Sequence, residues 1–278
     1  MKQSRKIYMR VLGLTLGAFV MLYPLLWMLA SSFKPELEIF RNTGLIPQQL
    51  TFEHYIKGWS SYTGIDFSLF FRNTFILVLF CILGNVISCS MTAYAFARLE
   101  YIGKSVLFAV LLVSMMLPFH VVLIPRFIMF NRLGWVNTYL PLIVPKFLAV
   151  EGFFCFMLVQ FMRGVPRELD MAAIIDGCGP VQIFIRIMIP LCRSALALVV
   201  ILTIIWTWND FFSQLIYIGN PLLFTVALGL RQFIDCTGLT SFGELFAMST
   251  VSLMPIIIFF FLAQDNLMGG IAIQGLKG

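Results

Sequence analysis

Charge is scarce in this chain. Only 12% of its 278 residues are Asp, Glu, Lys or Arg, against roughly 25% in an average soluble domain, while 60% are hydrophobic. A soluble fold of this size could not hide so much apolar surface, because interior volume grows slowly with chain length, so lipid must act as the solvent for much of it. Histidine is limited to His54 and His120. With no H-E-x-x-H, no G-x-S-x-G and no dense carboxylate cluster, a membrane-embedded enzyme is set aside. A phosphate-binding loop of the form G-x-x-x-x-G-K-[ST] is absent as well. Gly270 and Gly275 have the first spacing, but Leu276 precedes Lys277 and no hydroxyl residue follows. The chain is therefore not expected to bind ATP through such a loop itself. The six cysteines (Cys81, Cys89, Cys155, Cys178, Cys192, Cys236) form no C-x-x-C pair, so no metal, redox or cofactor site is expected. Internal repeats are missing too, and with them the inverted symmetry of many secondary transporters.

What the chain has instead is long apolar runs, 29 Phe and a mean hydropathy of +0.94, which fits helices that are apolar on every side. A helix needs roughly 20 apolar residues to cross a bilayer core. Six stretches qualify, near Val11–Phe33, Asn73–Ala97, Ser105–Ile124, Tyr139–Met162, Ala195–Ile218 and Glu244–Ala263. The fold class expected is therefore all-α, a polytopic membrane protein with about six transmembrane helices. The first run is too long for the signal-peptide core of roughly 7–15 residues and is read as a retained span. Eleven Lys and Arg fall on the side of the N-terminus and seven on the other, which puts both termini in the cytoplasm. The net charge of +6 then reflects topology and anionic lipid headgroups rather than nucleic acid. Two connections are long, an outer loop from Lys34 to Arg72 and an inner one from Arg163 to Ser194, and segments of that length usually have a job of their own.

The inner loop carries the densest signals. Pro166 suits a first helical position, and Glu168 and Asp170 follow where the positive helix end favours carboxylates. Ala172 and Ala173 expose little side chain and permit close approach of another surface. Gly177 stands where a left-handed residue ends a helix. Asp176 opposes the dipole of that last turn at a cost of about 0.3–1 kcal/mol. It either makes a turn with Gly177 or bonds outside its own helix. Pro180 opens a second short helix whose Ile183, Phe184, Ile187 and Met188 make one apolar stripe, and Pro190 is expected to end it. The residues alone allow both a partner-docking loop and interfacial helices that merely pack the bundle.

The run Pro166-x-Glu168-Leu169-x-x-Ala172-Ala173-x-x-Asp176-Gly177, followed by Ile189-Pro190-Leu191, resembles the EAA loop of ABC importer permeases. The resemblance is to the carbohydrate-uptake class, in particular the subunit type related to maltose permease G. Tyr23-Pro24-Leu25-Leu26-Trp27, Ser32-Phe33-Lys34-Pro35, Trp208-Asn209-Asp210-Phe211 and the ending Gly275-Leu276-Lys277-Gly278 are similar to further motifs of that family. The chain departs from the pattern in three places. Met171 stands where the name-giving glutamate is usual, Ser194 replaces a proline, and Gln264-Asp265-Asn266 replaces Gln-Arg and an aromatic. The resemblance implies an importer in which an extracytoplasmic sugar-binding protein delivers to two homologous permease subunits. A dimer of cytoplasmic ATP-binding subunits docks on the inner loops. Glu168, Asp170, Ala172, Ala173, Asp176 and Gly177 would then be the ATPase-coupling residues. The expected division is residues 1–72 (N-terminal cytoplasmic segment, first span and outer loop) and 73–278 (the transporter domain, with the coupling loop at 163–194).

Charged residues within spans usually face a cavity or one another. Lys146 and Glu151 fall in the fourth stretch and Asp210 in the fifth. Five positions along a continuous helix place Lys146 and Glu151 roughly 140° apart, so they are not expected to pair. Trp206, Trp208, Asn209, Asp210 and Gln214 offer aromatic faces and amides suited to a sugar pathway, or else interfacial anchors. Pro118-Phe119-His120 reads as a kink. The functional alternative is an ion-coupled transporter using Lys146, Glu151 and Asp210.

Overall fold

The computed structural model describes residues 2–60, 64–234 and 240–275, with side chains from residue 9 to 262 and at 264 within those ranges. Cys236 and the end of the Gly275–Gly278 motif lie outside them. Among the described residues all regular structure is helical. In chain order the α-helices are α1 Lys2–Ser31, α2 Glu36–Ile39, α3 Glu53–Trp59, α4 Phe67–Arg98, α5 Lys104–Met115, α6 Phe119–Arg132, α7 Leu140–Ile143, α8 Gly152–Arg163 and α9 Glu168–Ile175. After them come α10 Pro180–Ile183, α11 Ile189–Leu191, α12 Arg193–Asn209, α13 Phe212–Tyr217, α14 Val226–Arg231 and α15 Phe242–Gly275. Four stretches among the described residues are long and apolar enough to cross a membrane, Met9–Ser31, Phe67–Arg98, Leu140–Arg163 and Phe242–Leu262. The count reaches six if α5 with α6, and α10–α11 with α12, each make one bent span.

Three expected spans are therefore broken. The third bends by 104° between Met115 and Phe119, because Pro118 lacks an amide hydrogen and drives Leu117 out of the helical region. Within the fourth, α7 passes into a 3-10 turn, Val144–Leu148. That turn ends at Ala149, whose φ of 54° is left-handed. The fifth stops at Asn209, after which α13 begins anew, and a 76° bend at Cys192 precedes it. The second short helix of the inner loop runs through Pro190 to Leu191, with a π turn at Phe184–Met188, so Pro190 does not end it.

The structure divides into two units. The first, Met1–Ser68 and Gly229–Pro255, is organised around a buried lysine. Lys34 is fully buried, and its ammonium donates to the carbonyls of Asn42 and Gly44, 2.6 Å each. Its own carbonyl accepts from His54 Nε2 at 2.8 Å. Glu36 caps the start of α15 by accepting from the amides of Phe242 and Gly243, both at 2.9 Å. A Cβ on Gly243 would lie 2.3–2.5 Å from the His54 ring, so only glycine fits there. Glu38 accepts from the Gln48 amide (2.7 Å) and Asn42 Nδ2 (2.9 Å).

The second unit, Leu69–Leu228 and Ile256–Gly278, is threaded by α4. One buried cluster joins Cys89, Ala93, Tyr94 and Ala97 of α4 to Phe154, Leu158 and Met162 of α8, and to Ala195 and Val199 of α12. Another joins Leu77 and Cys81 to Phe130, Leu142, Tyr217 and Leu228. Lipid tails are as apolar as leucine, so helices associate here through close packing and interhelical hydrogen bonds. Small residues mark the contacts. A Cβ on Gly84 would lie 2.9 Å from Lys146 Cβ and 3.0 Å from the Lys146 carbonyl carbon. Asn85 donates to Thr203 of α12 (3.0 Å) and Ser88 to the Lys146 carbonyl (2.6 Å).

Gly84→Val should lower stability in detergent by about 1–3 kcal/mol through overpacking against backbone. Gly13→Ala, whose Cβ meets nothing within 4 Å, should show no loss in the same thermal melt. The Gln48 amide above all, then Asn42, holds the Glu38 carboxyl below its ordinary range. A depressed folded-state value contributes stability above the ordinary carboxylate pKa, and that stability is lost as pH falls through the folded value. Glu38→Ala should therefore melt below wild type at neutral pH, with the difference closing in acid.

Candidate functional site

The inner loop folds as two helical pieces around a bend. α9 begins at Glu168, two residues after Pro166, and ends at Ile175 with Asp176 as its C-cap. Gly177 follows at φ 82°, the left-handed conformation that closes a helix without a Cβ penalty. The Gly177 amide bonds to the Ile174 carbonyl (3.0 Å) and the Cys178 amide to that of Ala173 (2.9 Å). Ile183 and Met188 are buried in the chain's core, with Phe184 and Ile187 packed against it, so the apolar stripe faces inward.

The six loop residues singled out in the sequence separate into two groups. Glu168, Ala172, Asp176 and Gly177 are exposed. With Met171 and Ile175, Glu168 and Ala172 form a row at i, i+3, i+4, i+7 along α9, all exposed, and Ile175 is 86% so. Ala173 is buried among core residues of α4 and α8, so its small side chain serves this chain's own packing. Asp170 also turns inward. Its Oδ2 lies 3.0 Å from Arg98 Nε, with the side chains 16% and 5% exposed. Arg98 Nη2 also donates to the Val165 carbonyl at 2.7 Å. One turn earlier on α4, the Tyr94 hydroxyl donates to the Pro180 carbonyl at 3.1 Å, and its ring lies 5.1 Å from that of Phe184. Neither Tyr94 nor Arg98 was singled out from the sequence. The available signal was an aromatic and a charge at i, i+4 near the end of an apolar helix.

The polar set near the fifth span is also divided. Residues two apart on a helix point to opposite sides, and the two tryptophans do so. Trp206 is exposed and stacks on Phe154 at 4.9 Å and 11°. Trp208 is buried between Phe71 and Phe75 of α4. Asn209 is exposed, and its Nδ2 donates to the Ile205 carbonyl (2.8 Å). Half-buried Asp210 caps α13 by accepting from the Ser213 amide (3.0 Å). Gln214 is buried, donates to the Thr207 carbonyl (3.3 Å) and accepts from the Thr225 hydroxyl. Gln214 and Trp208 are thus committed to the interior of this chain.

Lys146 and Glu151 do pair, contrary to the helical-spacing expectation. That expectation required a continuous helix. The left-handed Ala149 interrupts the helix between them, and the two half-buried side chains come together. His120 packs edge-on against Phe212, ring centres 5.4 Å apart, beside the Pro118 break.

The family described as "Binding-protein-dependent transport system inner membrane component" matches residues 84–272. The chain is 31% identical over 98% of its length to the arabinooligosaccharides transport system permease protein AraQ of Halalkalibacterium halodurans, of which the match covers 96%. It is 29% identical to the trehalose/maltose transport system permease protein MalG of Thermococcus litoralis, over 96% of each chain. A chain of a crystallised bacterial ABC transporter involved in the import of the acidic polysaccharide alginate shares the fold. Its TM-score is 0.82 at 20% identity, covering 94% of this chain and 97% of that one.

Removing one partner of a buried ion pair leaves an uncompensated charge, and for this half-buried pair the cost should be about 2 kcal/mol, below the 3–5 kcal/mol of a fully buried one. Lys146→Met should therefore melt measurably below wild type in detergent. Lys146→Met combined with Glu151→Leu should recover most of the loss.

Proposed function

Because the chain belongs to the family of inner membrane components of binding-protein-dependent transport systems, we propose that it is a permease subunit of an ATP-driven importer for sugars, oligosaccharides in particular. End-to-end likeness carries the substrate class, since relatives matched along nearly their whole length are named for arabinooligosaccharides and for trehalose and maltose. The ion-coupled alternative has no comparable support, and its carboxylate Glu151 is engaged by Lys146.

In this reading both termini are cytoplasmic, residues 1–72 supply the first span and outer loop, and residues 73–278 form the transporter domain. The loop at 163–194 meets one of two ATP-binding subunits. The exposed row on α9 supports that role, since it offers apolar Met171 and Ile175 around the small Ala172, with Glu168 and Asp176 at the ends. Such a surface lets a partner's backbone come close and fixes its register by charge. A second homologous permease completes the pathway, and an extracytoplasmic sugar-binding protein loads it. The other contacts are with membrane lipid, and no nucleic acid partner is involved. Trp206, Asn209 and Asp210 would meet the sugar, through an aromatic face and polar groups, with Trp208 and Gln214 fixing the helix end behind them.

Tagged chain purified from its native membranes in mild detergent should carry a second permease and an ATPase. Hydrolysis should rise when a sugar-loaded binding protein is added. Ile175→Asp and Asp176→Lys should each insert normally but recover on the order of tenfold less ATPase, the scale of one interface contact worth about 1.4 kcal/mol. Full recovery with both variants would contradict the docking role, and a wild-type chain without any ATPase after crosslinking would contradict the importer itself.

A further inference from the structure

Arg98 and Tyr94 grip the inner loop on both sides of its bend. Arg98 holds the α9 side through Asp170 and the Val165 carbonyl. Tyr94 holds the other side through the Pro180 carbonyl and the Phe184 ring. Covalently the loop is attached to α8 and α12, yet its polar anchor is the end of α4. Both members of the ion pair are nearly buried, where a carboxylate or guanidinium without its partner is strongly disfavoured. Displacing α9 without Arg98 would separate the pair and leave both charges unpartnered. The same helix then carries Ser88 on the Lys146 carbonyl and Asn85 on Thr203. Near its other end Asn73 donates to the carbonyls of Leu222 and Phe224, 2.9 Å each. A close-packed helix transmits such a displacement rather than absorbing it.

We propose that the Arg98–Asp170 pair is the strut that passes movement of α9 into α4, which makes Asp170 a positioning residue for coupling and not a contact to the ATPase. The proposal rests on reading the loop at 163–194 as the ATPase-contacting segment.

The test uses the intact complex, reconstituted in proteoliposomes with its ATPase, second permease and binding protein. Arg98→Gln and Asp170→Asn are compared with the exchange Arg98→Asp/Asp170→Arg, and Tyr94→Phe serves as a mild variant that removes one hydrogen bond only. Three quantities are read: ATPase subunit retained, ATP hydrolysed and substrate transported. The single variants should retain the ATPase and hydrolyse ATP, while substrate moved per ATP falls on the order of tenfold, within the 5–150-fold range of a typical coupling energy. The exchange should restore most of the ratio, and Tyr94→Phe should lower it less. An unchanged ratio in the single variants and Tyr94→Phe would overturn the proposal. So would a loss of transport that merely follows loss of bound ATPase, which would mark a loop-folding role. A wild-type complex that holds no ATPase strikes instead at the importer reading, before any variant is compared.

Discussion

Lipid offers no hydrogen bonds, so every backbone group freed where a helix breaks must find a partner within the protein. Buried helix ends in the connecting loops carry the same demand, and much of the polar chemistry of this chain answers it. In the first unit the Lys34 ammonium takes two carbonyls of the turn after α2, and Glu36 takes two free amides at the start of α15. In the second, Asn73 serves the carbonyls of Leu222 and Phe224. Asn137, left-handed at φ 63°, accepts from the Gly219 amide at 2.6 Å while its own amide bonds to the Tyr217 carbonyl at 2.8 Å. Tyr94 and Arg98 do the same for the inner loop.

This economy gives the inner loop two chemically different sides. Inward, Asp170 and Ala173 are consumed by α4 and the core. Outward, Glu168, Met171, Ala172 and Ile175 remain on one row, available to a partner. A loop pinned on one side and presented on the other can move as a body with the helix that holds it, as the proposed coupling requires.

The class of the protein was plain from its apolar runs and from the Pro166–Gly177 motif, because length, hydropathy and helix-end chemistry are local properties. The left-handed Gly177 and the buried stripe on α10 and the following π turn were legible for the same reason. What failed was geometry across breaks. Lys146 and Glu151 were placed apart by helical spacing, yet they come together across the interruption at the left-handed Ala149. Trp206 and Trp208 are suited by type to a sugar pathway or to interfacial anchoring, and residue type does not show that two helical positions send them to opposite sides. Gln214 looked available to a ligand until Thr225 and Thr207 were found to occupy it. The roles of Lys34, Tyr94 and Arg98 depend on carbonyls 8 to 86 positions away, and local pattern carries no trace of such partners.

In the proposed importer the exposed row of α9 is the surface on which an ATPase acts. A photo-activated crosslinking residue placed at Ile175, and separately at Leu133 after α6, tests this in native membranes. The Ile175 probe should capture an ATP-binding subunit and the Leu133 probe should not. Capture from Leu133 but not from Ile175 would contradict both the docking surface and the orientation of the chain.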